Sequence, residues 1–194
     1  GLKIKWVDID PKTMSMDLDD LERKITRNTK IILIVHWGGY PVDLNRLKNI
    51  QLKTKDIFGF KPEIIEDCAH AFGSTYEKKH LGRHGNFACY SFQAIKHLTT
   101  IDGGVLISPD KEYHDRAKLA RWYGIDRETN KKDFRCEADI PDWGFKFHMN
   151  DVAAAVGIEN LKVVESEVLR KNKLNAQFFN EHLNNIQGLT LLEN

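Results

Sequence analysis

Glu63-Ile64-Ile65-Glu66-Asp67-Cys68-Ala69-His70-Ala71-Phe72-Gly73 opens the stretch on which the fold depends, and Gly103-Gly104-Val105-Leu106-Ile107-Ser108 closes it. Glu63 to Asp67 is a short apolar run that ends on two carboxylates. Between the two ends lie Phe87-Ala88-Cys89-Tyr90-Ser91-Phe92 and, a few residues further on, Lys96. Apolar runs of this length, bounded by glycine and polar residues, predict buried strands. They would deliver an acid (Asp67), an imidazole (His70), a hydroxyl (Ser91) and an amine (Lys96) to one edge of a sheet.

Outward from that block, strands and helices alternate. Lys30 to His36 is a continuous apolar run, which predicts a strand covered on both faces. Lys3 to Ile9 alternates like a further strand, and Asp10-Pro11 breaks it. A helix is expected from Asp17, with acids in its first turn and Leu18, Leu21 and Ile25 on one face. Gly38-Gly39 ends the second strand, and Asp43 caps a helix carrying Leu44, Leu47 and Ile50. Downstream, strands are expected over Gly85 to Ser91 and Gly104 to Ser108, joined by the polar connection that holds Lys96. A helix starts at Pro109-Asp110 and runs towards Tyr123. Gly124 to Trp143 is polar and weakly periodic and reads as a long excursion, a class of loop that is often functional. From Asn150 the pattern is helical through Ala153, Val156, Leu161, Val164 and Val168, after which charges dominate and the helix is expected to leave the core. The fold class is therefore α/β with a mostly parallel central sheet and helices on both faces. Ligands in such sheets sit beyond the carboxyl ends of the strands, where His36 and Asp67 lie.

Composition removes several classes of function. The 29 basic and 28 acidic side chains nearly cancel, leaving no electrostatic footprint for nucleic acid. No apolar run has the length of a transmembrane helix and no signal-peptide pattern is present, so no membrane partner is expected. Cys68, Cys89 and Cys136 have neither disulfide-scaffold density nor CxxC spacing, which points to a reducing, cytoplasmic setting. Cys68 reads as a small buried filler. The eight histidines form no zinc-type cluster, so no metal is expected. Lys3 to Asp8 already reads as a strand with no lead-in and an apolar run begins at Gly188, so the chain reads as an internal piece of a longer protein.

One cofactor calls for all four residue types at the sheet edge. Pyridoxal 5'-phosphate (PLP) needs an amine for its carbonyl, a carboxylate facing the pyridine nitrogen, a donor beside the ring oxygen, and hydroxyl or main-chain donors for its phosphate. Lys96, Asp67, His70 and Ser91 offer one residue for each task. Each also has a plain reading: Asp67 as a turn former, Lys96 as a solvated lysine, His70 as a core histidine, Ser91 as a loop hydroxyl and Gly103-Gly104 as a tight turn. The set, in two segments expected to be adjacent, favours the cofactor.

Ile65-Glu66-Asp67-Cys68-Ala69-His70-Ala71-Phe72-Gly73, Tyr90-Ser91-Phe92-Gln93-Ala94-Ile95-Lys96-His97-Leu98-Thr99-Thr100 and Asp102-Gly103-Gly104 resemble the nucleotide-sugar aminotransferases of the DegT/StrS type, nearest their perosamine synthase-like branch. Gly144-Phe145-Lys146-Phe147-His148-Met149-Asn150-Asp151 agrees with the same family. The resemblance implies a PLP-transferase fold type I large domain of three layers. It implies Lys96 as the Schiff-base lysine, Asp67 opposite the pyridine nitrogen, His70 beside the ring and Ser91 on the phosphate. It also implies a homodimer with shared active sites, in which Lys146, His148 or Asn150 reaches the cofactor phosphate of the neighbouring subunit. The implied reaction is ping-pong amination of a nucleotide-linked keto-deoxysugar, with glutamate as amino-acid donor.

By the same resemblance, residues 1–148 would be the central part of the PLP-binding domain, 149–187 a long helix leading out of it, and 188–194 the start of a small domain. A phosphate loop and a ring-stacking aromatic that relatives carry upstream lie outside these residues. A dehydratase branch of the family replaces the lysine with histidine; Lys96 is present here and His97 follows it, which favours the aminotransferase. Sugar dehydration on the same scaffold and a non-catalytic fragment stay open as alternatives. Arg121, Arg127 and Arg135 would suit a diphosphate or a donor carboxylate, and a solvated loop face accounts for them equally well.

Overall fold

The computed structural model describes residues 1–128, 140 and 142–192. Helix α1 spans Leu18–Lys24 and starts where Asp17 accepts the main-chain N–H groups of Asp19 and Asp20. Strand β1 is Ile31–Val35, followed by a 3₁₀ turn over Trp37–Gly39. Helix α2, Leu44–Phe58, is capped by the Asp43 carboxylate on Arg46 N–H (2.9 Å) and ends on Gly59 in the left-handed conformation. Strands β2 (Glu63–Asp67), β3 (Thr75–Tyr76), β4 (Lys79–His80), β5 (Phe87–Ser91) and β6 (Gly104–Ile107) precede helix α3 (Lys111–Ala120). Helices α4 (Asp151–Leu161) and α5 (Arg170–Leu183) flank a π-helical turn over Val164–Leu169.

The four-stranded sheet runs in the order β1-β2-β5-β6. Strands β1, β2 and β5 are parallel, and β6 joins β5 antiparallel. Alternation along the strands then sorts side chains onto two faces. Ile32, Ile34, Ile64 and Ala88 turn to one face and pack with Leu18, Leu21, Leu44, Leu47 and Ile50 of α1 and α2. Phe87 turns to the other face and meets Tyr113 of α3, ring to ring at 4.9 Å. Helices therefore lie on both faces, and Asp67, Cys89 and Ser91 share the face of Phe87.

Some expectations differ from the molecule. Lys3 to Ile9 forms no strand: only an isolated bridge joins Ile9 to Met16, because no neighbouring strand offers that segment a ladder. β1 is not covered on both faces, since Ile31 and Leu33 on its outer side are 40% and 55% exposed. The helical run from Asn150 is interrupted by the π-helical turn, and α5 buries no residue. Most of the excursion, with Arg135 and Cys136, lies outside the described residues. No helix among the described residues is long and apolar enough to cross a membrane.

Candidate active site

Asp67 is the last residue of β2, opposite Val35 on one side and Cys89 on the other. Its carbonyl accepts the His36 N–H at 3.0 Å, while Cys68 N–H donates to the Cys89 carbonyl at 2.8 Å. The strand end is thereby fastened from both neighbours. The Asp67 Oδ1 accepts the Ala69 N–H at 2.9 Å, an Asx-type turn that swings the chain towards His70. Its Oδ2 has no partner among the described residues.

Ser91 ends β5 two residues beyond Cys89 and so stands on the same face and edge as Asp67. Its Oγ accepts the Gln93 N–H at 3.3 Å, starting a turn in which Lys96 N–H donates to the Gln93 carbonyl at 2.9 Å. Lys96 is half-buried, and its ammonium forms no ion pair with a described residue. The following residue, His97, has its pKa lowered by burial and by the charges of His70 and Lys96. The charges of His70, after β2, and of Lys96, after β5, thus both act on His97, whose Nδ1 is buried without a partner among the described residues.

The connection from β5 to β6 is held as a compact loop. Phe92 N–H donates to the Gly103 carbonyl (2.8 Å) and Thr100 N–H to the Phe92 carbonyl (2.9 Å). Asn160 of α4 donates to the Thr99 carbonyl at 2.9 Å. Gly104 permits a close approach of two strands: a Cβ there would sit 2.6 Å from the Tyr90 carbonyl oxygen.

Lys146 and His148 belong to a second group. Phe145 N–H donates to the Ala120 carbonyl (2.7 Å) and Phe147 N–H to the Arg121 carbonyl (2.9 Å), laying this segment along the end of α3. The His148 ring meets Trp122 at 3.8 Å, beside a cleft of about 340 Å³ that Arg121 and Arg127 also line. Burial and the cations Lys146, Arg127 and Arg121 lower the His148 pKa. Asn150 serves as the cap of α4, accepting the Ala153 N–H at 2.9 Å. No hydrogen bond or ion pair among the described residues links this group to Lys96.

All 194 residues match the family described as the DegT/DnrJ/EryC1/StrS aminotransferase family. The chain belongs to that family. The sugar aminotransferase CalS13 from Micromonospora echinospora is similar in structure, with a TM-score of 0.93 and 44% identity over 100% of this chain and 52% of that one. Spr1654 from Streptococcus pneumoniae, in its PMP form, gives a TM-score of 0.79 at 29% identity over 89% of this chain and 48% of that one; the same protein is also known in a PLP form. Among curated relatives, the GDP-perosamine synthase of Escherichia coli O157:H7 is 31% identical over 93% of this chain and 46% of its own length. The chain spans about half the length of these relatives. These likenesses give this member of the DegT/DnrJ/EryC1/StrS family the PLP-transferase fold type I architecture.

Within this family member, His36 departs from its expected place in the chemistry. Its side chain is wholly buried, as is that of Glu66, and the two meet at 3.0 Å. Cys68 is also buried, and burial together with the Glu66 charge pushes its thiol up to about 12. It is the small filler expected. Two residues near the edge escaped the sequence reading. Trp37, 54% exposed, tilts over the His70 ring at 4.9 Å, and His97 lies within reach of the charges of His70 and Lys96. An aromatic directly after a strand-end histidine, just before Gly38-Gly39, was the available signal for Trp37.

Proposed function

We propose that the protein is a PLP-dependent aminotransferase acting on a nucleotide-linked keto-deoxysugar, with glutamate as the amino donor. One observation carries the reading: Asp67 and Ser91 share one face at the carboxyl ends of adjacent parallel strands. The donor set suits the cofactor. Asp67 keeps one carboxylate oxygen without a protein partner, and the Lys96 amine is unpaired among the described residues. Bound PLP supplies the electron sink that stabilises charge at the substrate carbon.

Asp67 would face the pyridine nitrogen and favour its protonated form, His70 would lie beside the ring oxygen, and Ser91 with nearby main-chain N–H groups would hold the phosphate. Lys96 would hold the cofactor through its amine, and the same amine would serve as the base that moves a proton at the substrate carbon. Lys146, His148 or Asn150 would reach the phosphate in a neighbouring subunit of a homodimer with shared sites. In this reading residues 1–148 are the cofactor-carrying domain, 149–187 the helix leaving it and 188–194 the start of a small domain. The reaction belongs to aminosugar and polysaccharide biosynthesis in the cytoplasm, which the unclustered cysteines support. The kinship with CalS13 and GDP-perosamine synthase supports the sugar substrate.

The test uses the full-length protein. Borohydride reduction after loading with PLP should place the added mass on the peptide containing Lys96, and Lys96→Ala should neither be labelled nor transfer an amino group. Product formation should require glutamate and convert it to its 2-oxo acid. Label on another lysine, or turnover without an amino donor, refutes the assignment.

A further inference from the structure

The face of β2 opposite Asp67 carries a buried polar group that the reading above leaves without a task. Glu66 Oε2 lies 3.0 Å from His36 Nε2, and Glu66 Oε1 accepts from Asn86 Nδ2 at 2.7 Å. His36 Nδ1 accepts the Val42 N–H at 3.1 Å. An imidazole nitrogen that accepts a hydrogen bond carries no proton, so the ring proton sits on Nε2 and is donated to Glu66. Burial alone would raise the Glu66 pKa, but the hydrogen bonds from His36 and Asn86 outweigh it and hold the carboxyl below its ordinary range. A neutral His36 therefore faces an anionic Glu66, with both carboxylate oxygens engaged.

A metal does not account for the group. His36, Glu66 and Cys68 do bring ligand atoms within 4.8 Å of one another. Both imidazole nitrogens and both Glu66 oxygens are already in hydrogen bonds, however, and Cys68 stays a thiol. Direct catalysis is also excluded, because neither the His36 nor the Glu66 side chain is exposed at all.

What the group can do follows from its connectivity. Glu66 immediately precedes Asp67, and the His36 main-chain N–H donates to the Asp67 carbonyl at 3.0 Å. The His36 ring is bonded to Glu66 at the same time, so the two contacts close a ring around the Glu66–Asp67 peptide. Asn86, just before β5, fixes the same carboxylate from the strand on the other side. Three segments of chain are thus referred to a single buried charge one residue from Asp67. A buried ion whose partners are all satisfied resists displacement, because any movement leaves charge or a donor unpaired.

We propose that His36, Glu66 and Asn86 are positioning residues that fix the orientation of Asp67 towards the pyridine nitrogen; this rests on the cofactor reading above. Such support matters because a site displaced by a fraction of an ångström loses much of its effect. The experiment compares the full-length wild type with Glu66→Gln and Asn86→Ala. Gln keeps the volume of Glu66 but sets an amide donor against one of its two present donors, and Asn86→Ala removes a single bond should the first variant fail to fold. Two quantities are measured: hydrogen–deuterium exchange of the cofactor-free protein, and PLP affinity by absorbance titration.

Exchange is expected to quicken at least tenfold in peptides covering 35–40 and 67–72 while α2 stays protected, with PLP dissociation constants rising tenfold or more. Unchanged exchange in those two segments overturns the proposal, as does a uniform increase along the chain, which would signal mere loss of stability. Local loosening with unaltered PLP affinity also overturns it while leaving the cofactor reading in place. A wild type that takes up no PLP overturns the cofactor reading and this proposal together.

Discussion

Replacing Gly104 with alanine tests how the fold serves the site. The φ of Gly104 lies outside the left-handed region, so alanine suits its backbone and the substitution acts by contact alone. Its new methyl would lie 2.6 Å from the Tyr90 carbonyl oxygen, where an ordinary carbon–oxygen approach is about 3.3 Å or more. The obstacle is main chain, which cannot rotate away, so β5 and β6 must part by roughly 0.7 Å at the level of Ser91, the register partner of Gly104. Overpacking of this kind costs about 1–3 kcal/mol, and the lower entropy of alanine in the unfolded chain offsets about 0.4–1 of it. A net loss of about 1–2 kcal/mol is expected by denaturant titration of the full-length protein. Because Ser91 moves with the strand, PLP affinity should fall by about tenfold, the worth of one good hydrogen bond. Gly59→Ala is the control: it has open space around it and a φ of 79°, so it should lose stability through backbone strain without affecting the cofactor. If Gly104→Ala matches the wild type in both measurements, or loses stability with PLP affinity intact, the link between this close approach and Ser91 is refuted.

Acid should act on the protein partly through Glu66. Its folded pKa is depressed, so its contribution is complete above its ordinary value of 4.5 and is lost as pH falls through the lower folded value. The stability gap between wild type and Glu66→Gln should therefore be constant near neutrality and narrow below about pH 4.5; a gap that widens in acid would contradict an ionised Glu66. Among the described cysteines, a thiol reagent on the native protein should modify the exposed Cys89 and spare Cys68 until unfolding. Peptide mapping that finds Cys68 labelled at the same rate contradicts its burial. Borohydride trapping should depend on Lys96 as set out above, with Lys96→Ala at background.

Much of this was legible in the chain alone because it is local. Short apolar runs bounded by glycine and polar residues marked β1, β2, β5 and β6, Asp43 marked a helix start as its cap, and the patterns from Asp17 and Asn150 marked two more starts that also prove to be capped there. Asp67, Ser91 and Lys96 stood out because an acid, a hydroxyl and an amine at strand ends suit a single ring. Other features depend on partners distant in sequence, which no window of residues can reveal. Lys3 to Ile9 has the alternation of a strand and no ladder to join, and β1 has the composition of a two-sided strand with one side open. His36 had the same credentials as Asp67, a polar residue ending a buried strand. Only the tertiary structure separates them, because side-chain alternation turns Asp67 to the face it shares with Ser91 and turns His36 inward onto Glu66, thirty residues away.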